Sequence, residues 1–227
     1  MTRITEQLAR LRARIEAAAL AAGRNPADIR LLGVSKRQPV DRVKAAIAAG
    51  ITELGENYLQ DALPRMAACG PGPSWHFIGR IQSNKSRSVA ENFSWVQTLE
   101  SIRLADRLAT QRPPQAEPLQ CLIQIAPRGD EDRGGVPPAQ VPALAAHLAE
   151  LPRLTLRGLM VMPLPGQDAA SLSAEFAAGR HLFKELCSAG YELDTLSMGM
   201  SHDLETAVAE GSTLLRIGTD LFGPREN

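Results

Sequence analysis

The sequence predicts an α/β fold, a single (β/α)8 TIM barrel preceded by an extra N-terminal helix and similar in rhythm to other single-unit barrels of about 250 residues. Three observations carry this. Eight short apolar runs punctuate the 227 residues, alanine-rich periodic segments separate them, and no shift in composition divides the chain. Short strands that alternate with helices imply a parallel sheet, because parallel neighbours need a helical crossover. Eight repeats favour closure into a barrel over an open doubly wound sheet, which more often stops at five or six strands. One domain spanning residues 1–227 is the expectation.

In chain order, Ile4, Leu8, Leu11 and Ile15 form a helical stripe with Arg3, Glu6, Arg10 and Arg14 largely off it, and Gly23 and Pro26 end that helix. Strands are predicted over Ile29 to Ser35, Ile51 to Gly55, Ser74 to Gly79, Ser94 to Leu99, Leu119 to Ala126, Thr155 to Met162, Glu192 to Met198 and Thr213 to Gly218. Helical segments include Val40 to Ala49, Ser101 to Gln111, Ala139 to Leu151, Ser171 to Ala189 and Ser201 to Glu210. The marked loops are Pro113-Pro114 and the stretch from Pro127 to Pro138.

The charge balance narrows the partners. Lys plus Arg number 25 against 25 Asp plus Glu, with no long run of one sign, so the broad positive field that gathers nucleic acid or anionic lipid is missing. A small-molecule partner is expected, with no nucleic acid and no membrane. Cys69, Cys121 and Cys187 are odd in number and widely spaced, which argues against a disulfide framework or a structural zinc and for a reducing cytoplasm. The apolar stretch Ala17 to Ala22 is too short and alanine-rich for a signal-peptide core or a membrane span.

In a barrel of this kind ligands sit at the C-terminal ends of the strands. Lys36 follows the first predicted strand, Asn57 the second, Gln82 to Lys85 the third, Met162 the sixth, Ser197 to Ser201 the seventh and Gly218-Thr219 the eighth. In Ser197-Met198-Gly199-Met200-Ser201 the glycine permits a tight turn and Ser201 is positioned to cap the next helix, leaving N–H groups for an anion. The alternative is an ordinary capped helix. Arg216 interrupts Leu214-Leu215-Arg216-Ile217, and a guanidinium beside a barrel core needs an acceptor. That acceptor is either a carboxylate such as Glu53 or Glu56, or the pyridine nitrogen of a cofactor, which a permanently protonated arginine leaves unprotonated. Gly218 and Thr219 supply a second wall for a phosphate. A lysine amine facing a phosphate cradle points to an aldehyde cofactor, of which pyridoxal 5′-phosphate (PLP) is the commonest.

The stretches Val34 to Lys36 (VSK), Gly55 to Tyr58 (GENY), His76 to Lys85 (HFIGRIQSNK), Gly158 to Pro163 (GLMVMP) and Ser197 to Gly223 together resemble the YggS/PROSC family of pyridoxal phosphate homeostasis proteins over nearly the whole chain. The resemblance implies a barrel like the N-terminal domain of alanine racemase, with PLP in Schiff-base linkage to Lys36. It also implies Asn57 near the cofactor ring, Met200 beside it, Ser201, Gly218 and Thr219 at the phosphate, and Arg216 facing the pyridine nitrogen. Family members are regarded as carriers or regulators of vitamin B6, without established catalysis. One departure stands out. Relatives usually read Q-V-N where this chain has Gln124-Ile125-Ala126, and their following lysine and glycine appear as Arg133 and Gly135.

Other polar residues have plainer readings. His76 reads as a hydrogen-bonded core histidine, His202 as an exposed first-turn residue, Gln82 to Lys85 as a polar helix start in preference to a site for an incoming anion at the mouth, and Glu56 and Asp203 as a strand-end and a helix-dipole carboxylate. Racemisation needs a proton-transfer group on each face of the planar intermediate. In alanine racemase the second is a tyrosine from a β-rich domain of a partner subunit, for which this sequence leaves no room. Of the two tyrosines, Tyr191 precedes the seventh strand at the wrong end, and Tyr58 is expected to pack. The preferred expectation is a monomeric, non-catalytic PLP carrier that meets PLP-dependent apoenzymes transiently. The alternatives are a weak amino acid racemase or a Schiff-base aldolase.

Overall fold

A computed structural model describes residues 3–126, 134–164 and 166–223. Eight parallel strands close into a barrel in sequence order: β1 (Arg30–Val34), β2 (Glu53–Glu56), β3 (Ser74–Phe77), β4 (Trp95–Leu99), β5 (Leu119–Ile125), β6 (Leu154–Val161), β7 (Thr195–Ser197) and β8 (Leu214–Ile217). Closure is direct, since Arg30 to Gly33 of β1 pair with Leu214 to Ile217 of β8. Each predicted strand is present, with its ends shifted by one to three residues: most are trimmed, while β2 runs on to Glu56 and β6 begins at Leu154.

Helices wrap the outside: α1 (Arg3–Ala21), α2 (Val40–Ala48), α3 (Leu59–Cys69), α4 (Ser86–Asn92), α5 (Ile102–Gln111), α6 (Val141–Ala149), α7 (Ala169–Ser188), α8 (Leu204–Ala209) and α9 (Thr219–Phe222). The predicted stripe of α1 is buried together with Ala19, and the helix packs against α8, α9 and α2. Caps start two of the others where the sequence supplies them: Leu104 N–H donates to Ser101 Oγ at 3.2 Å, and Ser171 N–H to Asp168 Oδ1 at 2.8 Å.

Most of the apolar core lies between the sheet and the helices. The barrel interior is different. Trp95, Leu122 and Met160 form a separate small cluster there, with Met162 packed on it. Around them runs a polar chain. Arg216 of β8 donates to Ser197 Oγ of β7 at 2.8 Å, Ser197 Oγ donates to Gln97 Oε1 of β4 at 2.7 Å, and the Gln97 amide lies 3.0 Å from His76 Nδ1 of β3. Strands β4 and β7 are not neighbours, so these side chains meet by crossing the lumen. Because the Gln97 nitrogen is only a donor, His76 Nδ1 accepts and its proton sits on Nε2. His76 is fully buried and stacked on Trp95 with ring centroids 4.9 Å apart, and burial holds its pKa well below the ordinary histidine value. It is the hydrogen-bonded core histidine that the sequence predicts.

Candidate functional site

The first wall is the turn after β1. Ser35 is fully buried, and its Oγ donates to Glu56 Oε1 at 2.6 Å. Arg65 of α3 donates to the same oxygen at 2.6 Å and reaches Gln38 O at 2.9 Å. One buried ion pair thus grips the chain on both sides of Lys36, and Arg37 between them adopts the left-handed region at φ 59°. A turn held at both ends fixes where the lysine stem leaves the barrel rim. Burial raises the pKa of Glu56, while the Ser35 hydroxyl and Arg65 pull it back.

Asn57 follows β2 directly. A Cβ on Gly79 would lie 2.1 Å from Asn57 O, so only glycine lets the chain after β3 pass this close and set the asparagine at the mouth. The opposite wall depends on Gly199, whose φ is 97° and whose Cβ would come within 2.5 Å of Ala207. This turn differs from the sequence expectation. Ser201 does not cap α8: Asp203 occupies the cap position, its Oδ1 takes the Met200 N–H, and Ser201 Oγ accepts from Asp220 N–H at 3.3 Å. The serine therefore joins the β7 and β8 ends, because two intervening residues carry the chain past it before α8 begins.

Arg216 is the third component. Its side chain is buried and donates to Ser197 Oγ and, at 3.0 Å, to Val161 O. The carboxylates expected as alternatives are engaged elsewhere, Glu53 with Arg30 and Glu56 with Arg65. Among the described residues the hydrogen-bond acceptors of Arg216 are neutral. Burial lowers its pKa to about 10, against the opposing charge of Asp203, so it remains a cation at neutral pH.

These walls enclose a cavity of about 270 Å³ at the C-terminal end of the barrel. Lys36, Asn57 and Arg216 line it with Met200 and Ser201, and Gly218 and Thr219 complete it. All seven residues singled out in the sequence thus share one cavity. Sequence reasoning missed its apolar lining, Val34, Ile78 and Met160, whose only signal was their place at or near a strand end. His202 also lines the cavity, although its side chain is 71% exposed as expected. Tyr58 departs from expectation: it is 46% exposed rather than packed. Gln124 of β5 donates to Gly134 O at 3.2 Å and Ala126, just after the strand, is buried, while Arg133 lies outside the described residues.

A second cavity, of about 520 Å³, opens at the other end of the barrel beside Arg12, Arg30 and Glu53. It lies where the strands begin, away from the lysine and the cradle.

Comparison with known proteins agrees with this fold. The family described as alanine racemase, N-terminal domain, matches residues 7–226. The pyridoxal phosphate homeostasis protein of Pseudomonas aeruginosa is 48% identical over 100% of this chain and 97% of its own. That of Escherichia coli is 44% identical over 100% and 98%. PipY of Synechococcus elongatus, solved without PLP and with PLP bound, superposes with TM-scores of 0.87 and 0.86 at 36% identity, covering 97% of this chain and 100% of that one. With a closed eight-stranded barrel and full-length likeness to these relatives, the chain belongs to the family of pyridoxal phosphate homeostasis proteins, within the wider alanine racemase N-terminal domain group.

Proposed function

We propose that this chain binds PLP reversibly in the Lys36 cavity and releases it to apoenzymes that need it, serving vitamin B6 homeostasis without turning over a substrate of its own. The observation that carries the reading is Arg216, a buried cation on neutral acceptors, in one small cavity with a lysine and two hydroxyl residues. A buried guanidinium is costly without an electron-rich partner, and a pyridine nitrogen or a phosphate answers that need. The residues fit the group. Lys36 offers the amine for covalent attachment, Ser201 and Thr219 offer hydroxyls to the phosphate, Asn57 offers an amide to the ring, and Arg216 donates to the ring nitrogen. The names of the relatives and the PLP-bound PipY structure support the same assignment.

When bound, PLP supplies an aldehyde carbon that condenses with amines and a ring that withdraws electrons. The chain's own groups decide how far that goes. Arg216 keeps its proton and leaves the ring nitrogen unprotonated, which weakens the ring as an electron sink. The Ser35–Glu56–Arg65–Gln38 grip holds the Lys36 turn, and the Asp220–Ser201 bond ties the two phosphate walls together. Retention is thereby favoured over chemistry. Three cysteines without a disulfide support a cytoplasmic setting, and we place the protein there as a monomer.

Titration of the purified protein with PLP tests this. Wild type is expected to shift the cofactor's absorbance to longer wavelength with saturation, and Lys36→Ala to leave the free-aldehyde spectrum. Holo-protein incubated with L-amino acids in deuterated water should exchange Cα protons no faster than free cofactor. An unchanged spectrum in both proteins, or fast exchange, contradicts the reading.

A further inference from the structure

A groove of about 450 Å³ lies next to the Lys36 cavity, and Asn57 lines both. Its cations are Arg80 and Lys85, from the segment between β3 and α4, and among the described residues no carboxylate lines it. Its aromatic surface comes from Tyr58, 46% exposed, and Phe77, which is buried. Arg80 has a neighbour outside the groove, Glu100 at 3.3 Å, but its side chain is 62% exposed, so that pair is weak and screened. At the partition, Asn57 Oδ1 is buried with no hydrogen-bond partner. An orphaned amide oxygen costs free energy that a donor on a bound molecule recovers.

Two cations, an aromatic wall and an unmet acceptor describe a small planar anion that also carries a donor. Resting on the function proposed above, we propose that this groove is a second, non-covalent station for the same chemical class, a phosphorylated hydroxypyridine. Arg80 and Lys85 take its phosphate, its ring lies against Tyr58, and its hydroxyl faces Asn57. A carrier gains from such a station because ligand waits at the rim while the lysine is occupied, and the shared asparagine makes the two sites contiguous. No bond forms or breaks in this step.

The experiment closes the Lys36 cavity first. Holo-protein is reduced with borohydride, freed of excess cofactor, and titrated by equilibrium dialysis with pyridoxamine 5′-phosphate, which has no aldehyde. A second equivalent should bind, be displaced by inorganic phosphate at constant ionic strength, and bind about tenfold more weakly to the Arg80→Ala/Lys85→Ala double variant. Pyridoxamine without its phosphate should not bind. Both side chains are exposed, so the double variant should melt as wild type does. Absence of a second equivalent, or equal affinity in the double variant, overturns the proposal. If borohydride attaches nothing to Lys36, the function proposed above fails, and the same titration on unreduced wild-type and double-variant protein still decides the groove.

Discussion

His76 and Arg216 end one hydrogen-bonded chain through the barrel lumen, and burial pulls the pKa of each downward. For Arg216 this has no consequence near neutral pH, since a value of about 10 leaves it charged. For His76 it does. In the unfolded chain a histidine titrates near ~6.5, whereas the folded protein refuses that proton. Stability from this group is therefore fully present above that pH and is lost as pH falls below it, by at most about 1.4 kcal/mol per pH unit. Glu53 and Glu56 act the other way: burial raises both, so their contribution declines as pH rises from the ordinary glutamate range through the raised values. Comparing wild type with His76→Gln, which keeps an acceptor for the Gln97 amide, isolates the histidine. In urea denaturation, the stability of wild type relative to the variant should drop by about 1 kcal/mol between pH 7 and 5.5, and parallel pH profiles would refute the assignment. The seven site residues were legible because strand ends in a barrel share one mouth. The partners that orient them were not: Gln97 and Ser197 are 100 positions apart, and Glu56 meets Arg65 only because β2 and α3 pack together.

Helix α1 illustrates what periodicity reveals and what it leaves out. Its buried stripe was readable from the spacing of four apolar side chains, but the job of Arg14 on the polar side was not. Arg14 donates to Glu205 of α8, at 2.5 Å through Nε and 2.8 Å through Nη2, and to Asp220 of α9 at 2.6 Å. The hydrogen bond to Arg14 lowers the pKa of Glu205. Since the Asp220 N–H also donates to Ser201 Oγ, the added helix braces the strand ends that we propose hold the phosphate. The ion pairs are partly exposed, so Arg14→Ala should cost only about 1 kcal/mol in global stability. Its larger effect should fall on PLP affinity, measured by absorbance titration, and Arg14→Lys should restore part of it. Equal affinity in wild type and Arg14→Ala would leave α1 as a lid over the core with no bearing on the cradle. The strands were the most legible elements, because short apolar runs bounded by turn residues fit a sheet covered by helices. The start of α8 was misread for a local reason: the two residues after Ser201 are not yet helical, which hands the cap position to Asp203.

Closure of the barrel brings the first strand against the last, and that single fact assembles the site. Lys36 follows β1 while Arg216 lies on β8 and the Gly218-Thr219 wall follows it, so residues some 180 positions apart in sequence become neighbours only when the sheet closes. The alternation of elements made closure predictable, and the clustering of the seven residues followed from it. The groove beside Asn57 did not follow, because Lys85 sits in a stretch that reads more readily as a polar helix start and Arg80 carries no signal of its own. Covalent retention of PLP at one amine of that mouth is open to peptide mapping of borohydride-reduced holo-protein by mass spectrometry. One phosphopyridoxyl group per chain is expected, on the peptide containing Lys36. Label on any other lysine in place of Lys36, or none at saturating cofactor, would contradict it.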